Sequence, residues 1–176
     1  ILARIARPRW VNGFFGKAQI VSAAGMGFAH GMNDAQKTMG IITLVLYSTG
    51  RLSGDFHVPM WVVLAAHGAM GLGTLSGGWR IIHTMGSKIT KLQPVGGFAA
   101  ESGAAVAILA ATVSGVGIST THTLTGAIVG VGATHRLSAV RWGVATRIVW
   151  AWILTIPASA LVGALVFYGV SALRAL

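Results

Sequence analysis

Residues 30–40 read HGMNDAQKTMG, inside an apolar run over about residues 18–48. That run is longer than the ~20 residues a helix needs to cross a bilayer. Asp34 is one of only three acidic residues in the chain, and Lys37 follows three residues later. Ionised side chains within lipid are costly, so their default reading is a functional site. Gly31 can break the helix, Asn33 or Asp34 can cap the half that follows, and the excess length argues for a broken or strongly tilted helix. The Asp34 oxygens suit a hard cation such as sodium, or a transferable proton. Lys37 shares the helical face of Asp34 and can neutralise it. The competing structural reading is a salt-bridged cap that merely closes a kinked helix.

The surrounding composition decides the solvent. The 176 residues are 54% hydrophobic and 9% charged, whereas soluble domains carry about 25% charged residues. Too few charges are present to cover a water-facing surface, so most of the chain is expected to face lipid. Twenty-five glycines against four prolines fit close approach of membrane helices. The net charge of +10 does not make a nucleic-acid-binding face, because the lysines and arginines lie between apolar runs rather than in one patch interleaved with aromatics. Cysteine is absent, which excludes disulfides and thiolate chemistry. The opening residues ILARIARPRW show no initiator Met and no signal-peptide pattern, as expected of the middle of something longer.

Four apolar segments organise the chain: residues 18–48, 60–77, a region over 96–133, and 142–173 with Pro157 as an expected kink. Residues 1–17 form a basic cytoplasmic segment, and WRIIHTMGSKITKLQP connects the second segment to the third. In the third region, about 18 apolar residues that include Glu101 lead to GVGISTTHT (residues 115–123) and then to only a dozen more, too few to span. A re-entrant hairpin follows. With the N-terminus inside, Arg4, Arg7, Arg9, Lys17, Arg80, Lys88, Lys91, Arg136 and Arg141 are cytoplasmic, and only Arg51 and Arg174 lie outside. That is nine against two, in the direction of the positive-inside rule. A fully crossing third segment would give eight against three. Irregular backbone at membrane depth must be buried in protein or line a wet cavity. Breaks at both HGMND and GVGISTTH are therefore expected to share one cavity.

GVGISTTHT has its own chemistry. Gly115 and Gly117 permit a tight turn, and Ser119, Thr120 and Thr121 then open a helix whose free N–H groups and dipole suit an anion. The plainer alternative is an N-cap beside a glycine turn, with the other hydroxyls bonded to nearby carbonyls. His122 alone cannot build a metal site. Glu101 divides evenly between a functional carboxylate and an interface cap, and Asp55 reads as a solvated loop residue. Among the other histidines, His30 adjoins the expected break, His57, His83 and His135 read as loop residues, and His67 as a helix-packing hydrogen bond. Trp61, Trp79, Trp142, Trp150 and Trp152 fall mostly near segment ends, as an aromatic belt would.

These motifs resemble the inorganic phosphate transporter family of secondary transporters. Its G-x-N-D signature stands here as Gly31-Met32-Asn33-Asp34, and the extension AHGMNDAQKTMGII is similar to the bacterial low-affinity phosphate permeases. GVGISTTHTLTGAIVG and GFAAESGAA match two further blocks of the family in the same order. The resemblance implies an all-α polytopic protein of inverted repeats, each with a G-x-N-D helix and a re-entrant helical hairpin, binding substrate near the midplane. It implies phosphate on Ser119, Thr120 and Thr121, and a coupling cation or proton at Asn33 and Asp34 with Glu101. Gln36, Lys37 and His122 would support these sites. No resident cofactor is implied, although a proton or sodium would be co-transported and a divalent metal could accompany phosphate as a complex. Each motif occurs once where the family has two, so the expected partner is an N-terminal half or a second copy in the bacterial cytoplasmic membrane. A sulfate permease, an intramembrane hydrolase using Ser119 and His122, and an uncoupled channel or assembly subunit are the alternatives.

Overall fold

The computed structural model describes residues 8–174, so Arg4 and Arg7 of the expected basic segment lie outside the described residues. Every long element is helical: α1 (Pro8–Ser48), α2 (Met60–His83), α3 (Pro94–Val113), α4 (Thr120–His135) and α5 (Trp142–Arg174). A single π-helical turn, Thr84–Lys88, extends α2, and a short 3-10 turn, Leu137–Ala139, follows α4. By length and composition, α2 (over Met60–Trp79), α3 and α5 can each cross a membrane. The chain is an all-α membrane protein. Large apolar side chains on the outer surface agree with this: Leu75, Trp79 and Val113 are 80–85% exposed, an arrangement that suits lipid and not water.

The break expected at HGMND is corrected. α1 runs without interruption for 41 residues, about 61 Å at 1.5 Å per residue. A lone glycine lowers helix propensity by only about 1 kcal/mol and permits a break without forcing one. Asn33 and Asp34 use their side chains on neighbouring helices instead of capping a half-helix. The helix also begins before residue 18, so residues 8–17 are continuous with the rest of α1. The connector after residue 77 is partly helical, which places His83 on α2, while His135 ends α4 rather than lying in a loop. His67 is likewise corrected: Nδ1 lies 2.9 Å from the carbonyl of Val63 in its own helix. Pro157 lies inside α5, which continues through it.

Glycine stops two helices in the same way. After α1, Gly50 adopts φ +70°, with Gly50 N–H donating to Tyr47 O and Arg51 N–H to Leu46 O. After α3, Gly115 adopts φ +70°, with Gly115 N–H donating to Thr112 O and Val116 N–H to Ala111 O. Both are Schellman endings, which favour glycine at the left-handed position. At the other end of α3, Pro94 occupies the first turn, where its missing N–H costs nothing.

α1 and α3 run parallel. Ser22 meets Glu101 and Asn33 meets Thr112, both at a separation of 79 residues, and a constant offset requires the same direction. Buried small residues permit the approach. Gly97 faces Gln19 of α1, whereas Gly96 faces Val131 of α4. Ala100 and Ala104 continue the Gly96 row at four-residue spacing, and all three are buried, a small-residue stripe suited to close helix contact. Ala29, Ala105 and Ile108 form one core with Ile118 packed on it. Farther along α1, Ala35 and Met39 form a second core with Val62 and Ala66 of α2.

α3, the turn 114–119 and α4 form the helical hairpin expected from the third region. α4 has 16 residues, about 24 Å, short of the ~30 Å hydrocarbon core. The end of α3 lies beside Asn33, 15 residues before α1 ends at Ser48, so the hairpin stops about 22 Å short of that end. α5 forms a compact unit of its own.

Near the hairpin base, Gly132 is buried, and a Cβ there would stand 3.1 Å from Val140 Cγ2 and 3.2 Å from Thr90 Oγ1. Gly132→Leu is expected to destabilise the fold by about 1–3 kcal/mol through overpacking. Thermal unfolding in detergent should show a lowered Tm, whereas Gly126→Leu, where a Cβ meets nothing within 4 Å, should leave it near wild type.

Candidate functional site

The polar residues of HGMNDAQK fall between the two apolar cores, where the hairpin turn meets the middle of α1. Asn33 is 3% exposed and serves both neighbours. Its Nδ2 donates to Thr112 Oγ1 of α3 at 3.0 Å, and its Oδ1 accepts from Lys37 Nζ at 2.7 Å. Thr112 passes its own proton to Ile108 O at 2.8 Å. A buried amide whose oxygen and nitrogen both have partners is the arrangement that low-dielectric surroundings reward.

Asp34 lies one residue on and faces α4. Thr120 Oγ1 donates to Asp34 Oδ2 at 3.1 Å. His30 Nδ1 stands 2.9 Å from Thr120 Oγ1 and 3.3 Å from Asp34 Oδ2. With the Thr120 proton directed to the carboxylate, Nδ1 carries the ring proton and donates to Thr120. Lys37 Nζ donates to Asp34 Oδ1 at 3.4 Å and to Ile118 O, in the hairpin turn, at 2.6 Å. Asp34 is thus held by a hydroxyl, an imidazole and an ammonium, which compensate its charge between packed helices.

The three hydroxyls of STT separate in role. Ser119 is the α4 N-cap, its Oγ accepting from His122 N at 3.3 Å. Thr120 is 4% exposed and bonded to Asp34. Thr121 and His122 are exposed. The cap is what the plainer reading of this motif expected, whereas the Thr120 bond goes to the acid of α1 and not to a nearby carbonyl.

Asn33, Asp34, Lys37 and Thr120 therefore come together, and Gln36 is exposed beside them. Glu101 does not join them. It accepts from Ser22 Oγ at 2.6 Å and lies 3.5 Å from Gln19 Nε2, opposite a part of α1 twelve residues before Asp34, about 18 Å along the axis. Three contributors escaped the sequence reading. Thr112 and Ser22 are single hydroxyls without a motif, and the Ile118 carbonyl carries no side-chain signal. The 79-residue offset that aligns α1 with α3 is visible only in the fold.

Parallel helices, a helical hairpin and a compensated acid beside its turn define a helical membrane protein with a polar centre built into an apolar body. Over residues 3–163 the chain matches the phosphate transporter family, and it belongs to that family. It is 57% identical over 161 residues to a probable low-affinity inorganic phosphate transporter of Rhizobium meliloti, covering 92% of this chain and 48% of the relative. It is 45% identical to a protein of the same description in Bacillus subtilis, covering 89% and 47%. Among solved structures it resembles a chain described as the sodium-dependent phosphate transporter, with a TM-score of 0.73 and 34% identity, over 84% of this chain and 37% of that one. These relatives are named as transporters and not as enzymes. The chain spans about half the length of the curated relatives it matches.

Asn33→Ala removes bonds to Thr112 and Lys37 together and leaves the half-buried Thr112 hydroxyl short of a donor. A loss of about 1–3 kcal/mol is expected, visible as a lowered Tm. Gln36→Ala should leave the Tm near wild type.

Proposed function

We propose that this chain is one repeat of a phosphate symporter of the bacterial cytoplasmic membrane, working with a second repeat supplied by an N-terminal half or a second copy. Inorganic phosphate, alone or as a metal complex, is carried by alternating access, coupled to protons or sodium. Family membership and the relatives' descriptions support phosphate as the substrate. The observation that carries the reading is the Thr120–Asp34 hydrogen bond, which ties the first turn of α4 to the acid of the G-x-N-D motif.

Its physical logic is charge compensation. An anion in a low-dielectric site needs positive charge nearby, and a co-bound cation or proton at Asp34 supplies it. The free N–H groups of the first α4 turn, with Ser119, Thr120 and Thr121, supply uncharged donors, which hold phosphate without trapping it. Neutralising Asp34 weakens its hold on Thr120 and changes what that hydroxyl offers to an anion. Asn33 positions Lys37 and α3 around the acid. Glu101, bonded to Ser22 and Gln19, supports the site through the α1–α3 packing. For the hydrolase alternative, Ser119 Oγ is already engaged as a helix cap, an arrangement that suits binding more than nucleophilic attack.

Radiolabelled phosphate uptake by the intact protein in a transport-deficient host tests the proposal. Uptake is expected to be saturable and gradient-dependent, and to be competed by arsenate more strongly than by sulfate. Asp34→Asn should lower it at least tenfold, while Thr120→Val should raise KM more than it lowers the maximal rate. Unchanged uptake in Asp34→Asn at normal expression would remove the coupling role.

A further inference from the structure

The ammonium of Lys37 is surrounded by three oxygens of different origin. They are Asn33 Oδ1 at 2.7 Å, Ile118 O at 2.6 Å and Asp34 Oδ1 at 3.4 Å. An ammonium has three protons, so each can be directed to one oxygen. A carboxylate, an amide carbonyl and a backbone carbonyl are also the oxygen ligands that a hard cation takes. One cation can occupy that position, not two.

We propose that Lys37 is the resident cation of this motif, and that it excludes free sodium from the Asn33–Asp34–Ile118 oxygens. The proposal rests on the reading of Asp34 as the coupling acid and narrows it to which ion this repeat admits. Two physical features favour the lysine over a dissolved ion. Its charge sits three residues from Asp34 on the same helix, so its effective concentration at the site exceeds that of a solution ion. It also needs no separate counter-charge and forms directed hydrogen bonds, the shortest to the hairpin turn just ahead of the Ser119 cap. The side chain of Lys37 remains 45% exposed, so its removal opens the position to water and ions without opening a closed core.

Thermal unfolding of the purified intact protein in sodium chloride, compared with choline chloride at equal ionic strength, tests this apart from transport. Wild type and Lys37→Arg are expected to unfold at the same temperature in both salts. Lys37→Met is expected to gain a sodium-specific rise of a few degrees, lost again when Asp34→Asn is added. Lys37→Gln serves the same purpose if the methionine variant does not fold. Lys37→Met and Lys37→Gln that ignore sodium overturn the proposal. So does a wild type stabilised by sodium in a manner that Asp34→Asn abolishes. Phosphate uptake is measured separately: a wild type that carries no phosphate in any salt refutes the symporter reading, while the unfolding comparison still decides the place of Lys37.

Discussion

A carboxylate on a 41-residue helix, where two other helices pack against it, sets the terms for everything around it. Asp34 is only partly exposed, and Lys37, His30 and Thr120 meet it from three directions. Two of those partners come from α1 itself, and the third comes from the first turn of α4. The hairpin must therefore stop where it does, with its turn beside residues 33–37 of α1. A longer α3 would carry Thr120 past the acid. A shorter one would leave Asp34 and the Ile118 carbonyl without each other's partners.

This demand explains why the rest of the packing uses such small residues. Thr120 reaches Asp34 only if α4 lies close to α1, and Asn33 reaches Thr112 only if α3 does. Gly96, Gly97, Ala100 and Ala104 remove the side-chain bulk that would hold these helices apart. Glu101, bonded to Ser22 and Gln19, fastens the α1–α3 pair about 16 Å along the axis from the Asn33–Thr112 bond. Two polar fasteners on one parallel pair set the register that apolar contacts alone leave loose, because lipid competes with side chains for the same apolar surface.

Helix type and membrane character were legible in the residues, since hydropathy and the scarcity of charge report directly on solvent. The hairpin was legible as well. Gly115 ends α3 through its left-handed conformation and Ser119 caps α4, both local events with local sequence signals. The continuity of α1 was not. Gly31, Asn33 and Asp34 look like a break when read alone, because the cross-helix bonds that occupy Asn33 and Asp34 come from residues some 80 positions away. The partners of Glu101, Ser22 and Gln19, were illegible for the same reason. An acid in a membrane segment signals that a partner exists and says nothing about which one.

By itself the sequence determined that this is an all-helical membrane protein of the phosphate transporter family, with its polar motifs at HGMNDAQK and GVGISTTH. Those are properties of composition and short-range pattern. Only the tertiary structure decided that Asp34 meets Thr120 rather than Glu101, that Asn33 belongs with Thr112, and that Lys37 lies among three oxygens including the carbonyl of Ile118. Such pairings depend on helix direction and register. Register is set by the summed fit of small side chains along whole helices, a quantity that no short stretch of the chain contains.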